Sequence, residues 1–208
     1  MTEVSPTQEE MPRYILTYFN TRGRAEPIRL ILAQAGVDYE DKRITREQWG
    51  QLKPQTPFGH IPILEVEGKV LSGSSPIARF LAERHGLAGS NDVENAEIAG
   101  IVDCLTDLIA QMIKWMFEKD ETRKAELKKE IDEVHTPKHL SNLEKHITAE
   151  GWLYGSKVTY ADLLFFNFSH HLSDEVLTTY PGLKCLREKV EALPNITKWL
   201  EEHRVTQS

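Results

Sequence analysis

Two short stretches of this chain hold residues whose types and spacing suit chemistry. The first is Tyr18-Phe19-Asn20-Thr21-Arg22-Gly23-Arg24-Ala25-Glu26, where a tyrosine closes an apolar run and a glycine between two arginines leads into a helical pattern. A phenol so placed can face a ligand above the helix start. Equally, Tyr18 can simply pack and the arginines can sit in water; residue type leaves both open. The second is Gly59-His60-Ile61-Pro62-Ile63-Leu64. A proline entering a strand is confined to its first residue or an edge. A cis Ile61–Pro62 bond would turn the Ile61 N–H and C=O outward, free to pair with an extended peptide ligand. Sequence does not fix that isomer.

Other reactive groups are less suggestive. His135 and His139 stand four apart, a spacing that shares a helix face, but Pro137 lies between them among charged neighbours, which favours a structural or solvated pair over a metal site. His170 and His171 diverge on any helix. Cys104 and Cys185 are the only cysteines and form no C-x-x-C pair. They read as core thiols, and the compartment they suit is a reducing cytosol. Walker A, G-x-G-x-x-G, G-x-S-x-G and H-E-x-x-H patterns are absent.

The elements that must position these groups differ between the halves of the chain. Up to Leu87 short strands alternate with helices: strand 13–19, helix 25–35 stopped by Gly36, strand 39–44, a short helix 46–53, strands 61–66 and 69–71 around Glu67-Gly68, and helix 76–85. The order β-α-β-α-β-β-α implies a parallel first pair, joined through a crossover helix, and an antiparallel hairpin at the other edge. LAGSND (87–92) is the boundary candidate. Beyond it the pattern is helical: 93–118 with Asp92 as a possible N-cap, 121–146 bent or broken at Pro137, a loop at 151–157, a capping box at Thr159–Asp162, and shorter helices near 183–193 and 196–203. This gives a disordered tail (1–10), an α/β unit (11–87), a linker (88–92) and an all-α unit (93–208).

Bulk composition limits the function classes. Hydrophobic residues make up 40% and charged residues 27%, ordinary for a chain with a sizeable core. The net charge of −7 argues against nucleic acid or an anionic membrane as partner. No run approaches the roughly 20 apolar residues of a membrane span. The polar, acidic MTEVSPTQEE does not read as a secretory signal.

Taken in order, LTYFNTRGRAEPIR, the W-x-x-x-K of Trp49 to Lys53, PFGHIPILEVEG, IARFLA, VDCLTDL, GSKVTYAD and the terminal WLEEHRVT closely resemble sigma-class cytosolic glutathione transferases. The resemblance covers residues 12–206. It implies a thioredoxin-like N-terminal domain with a mixed four-stranded sheet, an all-α C-terminal domain, glutathione as co-substrate, no metal, and a cytoplasmic homodimer. It implies that Tyr18 donates a hydrogen bond to the glutathione sulfur, aided by the field of Arg24. A phenol titrating near 10 still donates at pH 7, whereas only the thiolate form of a thiol near 8.5 is strongly nucleophilic. Lowering that thiol by about two units takes about 2.7 kcal/mol, within reach of one charge-assisted hydrogen bond and a nearby cation.

By the same resemblance Trp49, Lys53 and His60 hold the glycine end of the tripeptide, and Ile61, before Pro62, pairs with the cysteinyl backbone. Ser74 meets the γ-glutamyl carboxylate at a helix N-terminus, and Asp107 reaches the glutathione of a second subunit. A small hydrophobic electrophile would lie between Phe19, Thr21 and Arg24 on one side and Ile109, Gln111 and Trp115 on the other. One departure stands out: the family usually has Gln-Ser or Glu-Ser where this chain has Gly73-Ser74. The missing side chain predicts glutathione binding weakened about tenfold, the loss of one hydrogen bond. Three functions follow: conjugation of electrophiles, isomerisation of a prostaglandin endoperoxide by the same Tyr18, or a non-catalytic, lens-crystallin-like or ligand-binding descendant. The large insertion and methionine enrichment associated with those crystallins are missing; only four methionines occur. Asp103 and Asp107 could approach a cation at a dimer interface, but Thr106 stands where a third acid would help.

Overall fold

The computed structural model describes residues 14–203. The disordered tail expected at 1–10, Arg13 as the first strand residue, and the terminal Arg204-Val205-Thr206 of the family resemblance lie outside the described residues.

The first half is a sheet ordered β2-β1-β3-β4, with β1 (Tyr14–Phe19), β2 (Tyr39–Ile44), β3 (Ile63–Val66) and β4 (Lys69–Ser72). β1 runs parallel to β2 and antiparallel to β3, which pairs antiparallel with β4. The parallel pair is joined through α1 (Glu26–Ala35), whose Ile28, Leu30, Ile31 and Leu32 are wholly buried. Pro27 suits the first turn of α1, where a missing N–H costs nothing, and Gly36 ends the helix in the left-handed region, φ 65°. Glu67 and Gly68 both take positive φ, the twist a two-residue hairpin needs. α2 (Arg46–Leu52) opens on a Thr45/Gln48 capping box. α3 (Ser74–Arg84) begins two residues earlier than its apolar pattern suggests.

The second half is helical: α4 (Asp92–Phe117), α5 (Glu121–Glu130), α6 (Thr136–His146), α7 (Tyr160–Ser169), α8 (Asp174–Thr178), α9 (Pro181–Glu191) and α10 (Pro194–Glu202). Asn91, not Asp92, caps α4, its Oδ1 accepting from the N–H groups of Val93 and Glu94. Pro137 acts through the turn before it: Ile131–His135 forms a π-helical turn in which the Thr136 N–H reaches the Ile131 carbonyl, and helix continues on both sides. α8 escaped the sequence pattern because five residues show no periodicity; Ser173 caps it.

Residues 88–92 are tied in place. Ala88 is buried, Gly89 donates to Asn95 Oδ1 at 2.8 Å, and a Cβ on Gly89 would fall 2.5 Å from that of Glu94. One apolar core runs from the sheet through α1 and α3 into α7 and α10. Within it the α7 capping box is wholly buried at Asp162, whose carboxylate accepts from Thr159 N (2.7 Å), Thr159 Oγ1 (2.9 Å) and Leu153 N (2.8 Å). Burial pushes its carboxyl up to about 6 against the pull of those donors. No helix among the described residues is long and apolar enough to cross a membrane.

Candidate active site

Tyr18 lies on the last turn of side-chain alternation in β1, half-buried, with its ring 5.8 Å from that of Phe19. Its hydroxyl accepts a hydrogen bond from the Arg24 backbone N–H at 3.2 Å. That approach depends on Gly23. At φ 44° Gly23 is in the left-handed region, and a Cβ there would lie 2.8 Å from Tyr18 Oη and 2.9 Å from its Cε1. The chain therefore turns tightly over the phenol, with Arg22 and Arg24 flanking the turn. Arg24 is exposed, whereas Arg22 is half-buried and its Nη2 donates to Asn167 Oδ1 of α7 at 3.3 Å.

A second group of residues meets at the start of β3 and α3. The Ile61–Pro62 peptide is cis, and Gly73 N–H donates to the Pro62 carbonyl at 3.1 Å. His60 stacks on the exposed Phe58 and lies 3.3 Å, through Nδ1, from Ser72 Oγ. Lys53 follows α2, its Cε 3.7 Å from where a Gly59 Cβ would stand. Trp49, on α2, meets Phe19 edge-on at 6.3 Å and so joins this group to the Tyr18 loop. Ser74 is the first residue of α3, which has no side-chain cap and no acid in its first turn. Its leading N–H groups and the positive end of the helix are left to water or an anion. Gly73 takes φ 96° and ψ 137°, a conformation natural to glycine, and a Cβ there would touch Pro76 Cδ at 3.4 Å.

The residues expected on α4 make contacts of their own. Asp107 is exposed, and its charge, together with the larger effect of burial, holds the Cys104 thiol above its ordinary range. Ile109 packs against the core, Gln111 accepts from Lys114 Nζ at 3.1 Å, and the Trp115 ring lies 5.7 Å from Lys128 Nζ of α5. Among the described residues no hydrogen bond, ion pair or ring contact joins these four to the Tyr18 loop, of which Thr21 is an exposed member. His135 and His139 have ring centroids 6.4 Å apart, with His139 3.5 Å from Cys104 Sγ and His135 3.4 Å from Glu130. The described residues contain no group of three or more side chains suited to a metal.

Sequence reasoning passed over the residues that fix the loop. Thr21 and Arg22 carbonyls accept from Arg29, and Asn20 Oδ1 accepts from Arg43 at 2.8 Å. The available signal was the charged pair Glu26 and Arg29, three apart inside the apolar run of α1.

A mixed β-α-β-α-β-β-α sheet unit with a cis-proline entering its third strand, backed by an all-helical unit, defines a thioredoxin-like domain joined to a helical one. Residues 15–83 match the family model for the glutathione S-transferase N-terminal domain, and residues 106–203 match that for its C-terminal domain. Glutathione S-transferase 1 of Ascaris suum is 40% identical, with 94% of this chain and 99% of that protein covered. Hematopoietic prostaglandin D synthase of Gallus gallus is 39% identical over the same shares. The crystal structure of the glutathione S-transferase from Ascaris lumbricoides superposes with a TM-score of 0.85 at 40% identity, covering 92% of this chain and 97% of that one. The chain belongs to the glutathione S-transferase family.

Proposed function

We propose that this protein is a sigma-type glutathione transferase in which Tyr18 stabilises the glutathione thiolate for attack on small hydrophobic electrophiles. The observation that carries the reading is the Tyr18 hydroxyl at the end of β1, which accepts from the Arg24 N–H and keeps its own proton to donate. A hydroxyl that accepts one hydrogen bond becomes a better donor for the next. The sulfur, bound as thiolate, attacks the electrophilic carbon and the leaving group departs, with no covalent bond to the protein. The tripeptide lies extended along Ile61, its glycine end toward Trp49, Lys53 and His60, and its γ-glutamyl carboxylate at Ser74. The electrophile sits over Phe19, Thr21 and Arg24, against the α4 side chains Ile109, Gln111 and Trp115. No metal takes part.

We place the protein in the cytosol as a homodimer, with Asp107 of each subunit meeting the partner's glutathione. Phe58, 75% exposed beside His60, and the exposed Asp103 and Asp107 on α4 supply side chains for such an interface. The α/β unit, 11–87, carries the glutathione site and the helical unit, 93–208, the wall facing the electrophile.

The test is conjugation of a chlorodinitrobenzene-type electrophile at varied glutathione, in the native chain and Tyr18→Phe. Saturable turnover that falls at least about tenfold in the variant is expected from losing one charge-assisted hydrogen bond. A folded protein with no turnover above the uncatalysed rate at millimolar glutathione would move the non-catalytic reading to the front. A second enzymatic reading is favoured by the relative named prostaglandin D synthase. The same thiolate would open a prostaglandin endoperoxide, and glutathione would be regenerated with the D isomer formed. Product analysis with endoperoxide separates the two.

A further inference from the structure

Arg29 lies in the middle of apolar α1 with no exposed surface, an expensive place for a guanidinium. Two carboxylates clamp it. Its Nε lies 3.3 and 3.1 Å from the two oxygens of Asp41 on β2, and its Nη1 lies 3.1 Å from Glu26 Oε2. The other Glu26 oxygen accepts from the Trp199 indole N–H on α10 at 3.1 Å. Arg29 Nη1 also donates to the Thr21 carbonyl at 2.8 Å and reaches that of Arg22 at 3.4 Å. Asp41 further holds Arg43, which fixes Asn20.

Three consecutive residues, Asn20, Thr21 and Arg22, are thus tied to one buried charge network, and two residues later the chain delivers the Arg24 N–H to Tyr18. A buried ion pair contributes little net stability, because desolvation offsets the attraction, and Arg29 Nη2 has no hydrogen-bond partner among the described residues. The consequence of the network therefore lies in what it fixes. We propose that Arg29 is a positioning residue for the transferase reaction: clamped by Asp41 and by Glu26, which Trp199 holds in turn, it sets where the Arg24 N–H meets the Tyr18 hydroxyl. This rests on the reading of Tyr18 given above. It also makes α10, from the far end of the chain, part of the support for the thiolate.

The experiment titrates the thiol of bound glutathione through the ultraviolet absorbance of its thiolate, at saturating tripeptide, in the full-length protein and three variants. Arg29→Lys keeps the charge but cannot span two carboxylates and a carbonyl with one ammonium. It is expected to raise the thiol pKa by about 0.4–1 unit, a two- to tenfold loss of thiolate, the range of one hydrogen bond. Trp199→Phe keeps the ring packed and removes only the donor to Glu26; it is expected to shift the pKa the same way by about twofold in thiolate fraction. Glutathione affinity should stay within about twofold in both, since no hydrogen bond of the network reaches Trp49, Lys53, His60, Ile61 or Ser74, the proposed partners of the rest of the tripeptide. Wild-type thiol pKa values in folded Arg29→Lys and Trp199→Phe would overturn the proposal. If Arg29→Lys does not fold, Trp199→Phe decides alone. Tyr18→Phe separates the two ideas: no shift there defeats the reading of Tyr18, whereas a shift there with none in the network variants defeats only this inference.

Discussion

Replacing Gly23 by alanine tests whether the loop geometry, and not merely the presence of Tyr18, produces activity. Two costs can be worked out. The first is conformational: φ 44° is a left-handed backbone that an alanine enters at about 1–2 kcal/mol. For a chain of this size that lowers Tm by about 2–8 °C. The second is contact. The new methyl would lie 2.8 Å from Tyr18 Oη and 2.9 Å from Cε1, so the ring or the loop must move. Either movement breaks the 3.2 Å bond from Arg24 N–H and misaims the hydroxyl. A hydrogen bond to a charged sulfur is worth about 1.5–3 kcal/mol, so kcat/KM should fall about 10- to 100-fold.

Gly36→Ala supplies the control, because Gly36 also has a positive φ, 65°, but nothing lies within 4 Å of its Cβ position. It should lose similar stability and keep its kcat/KM. The assay is conjugation kinetics with thermal unfolding on both variants. Gly23→Ala with kcat/KM within about twofold of wild type would mean that the loop does not aim the Tyr18 hydroxyl, since a misaimed donor cannot preserve transition-state stabilisation.

Two further outcomes follow from the geometry. Gly73→Gln should bind glutathione up to about tenfold more tightly through the restored hydrogen bond, yet unfold more easily by about 1–3 kcal/mol because glutamine must adopt φ 96°. Calorimetry and melting read the two separately, and an unchanged Kd would show that position 73 does not meet the tripeptide. Asp162 has a native carboxyl raised to about 6 from 3.8 in the unfolded chain, so protonation favours the native state. Its contribution is complete below pH 3.8 and is lost as pH rises through 6, amounting to about 3 kcal/mol. Relative to Asp162→Asn, urea unfolding should show wild-type stability declining by about that much from pH 4 to pH 7; a constant difference contradicts it.

Local rules made the framework of this fold legible. Gly36 and Glu67-Gly68 punctuate the first half, and the crossover through α1 sets strand direction, so order and topology could be read directly. Thr159 and Asp162 announced α7 through their spacing. Pro137 was legible as an interruption but not as a π turn, because a proline states which hydrogen bond is missing and not how the helix absorbs the loss. The cap of α4 was misplaced by one residue, Asp92 for Asn91, since both side chains suit the position. At the site, Tyr18 and the Ile61–Pro62 pair stood out by type and neighbours. Arg29 did not, because Asp41 comes from β2 and Trp199, which holds Glu26, from α10, and only the folded chain brings these to α1.

If Tyr18 lowers the pKa of the glutathione thiol as proposed, titrating that thiol in complexes with the native chain and with Tyr18→Phe will show it. The predicted result is a bound thiol about two units below the free value of about 8.5 in the native chain, and at least one unit higher in the variant. A bound thiol that titrates at the same pH with and without the Tyr18 hydroxyl would mean that Tyr18 does not stabilise the thiolate.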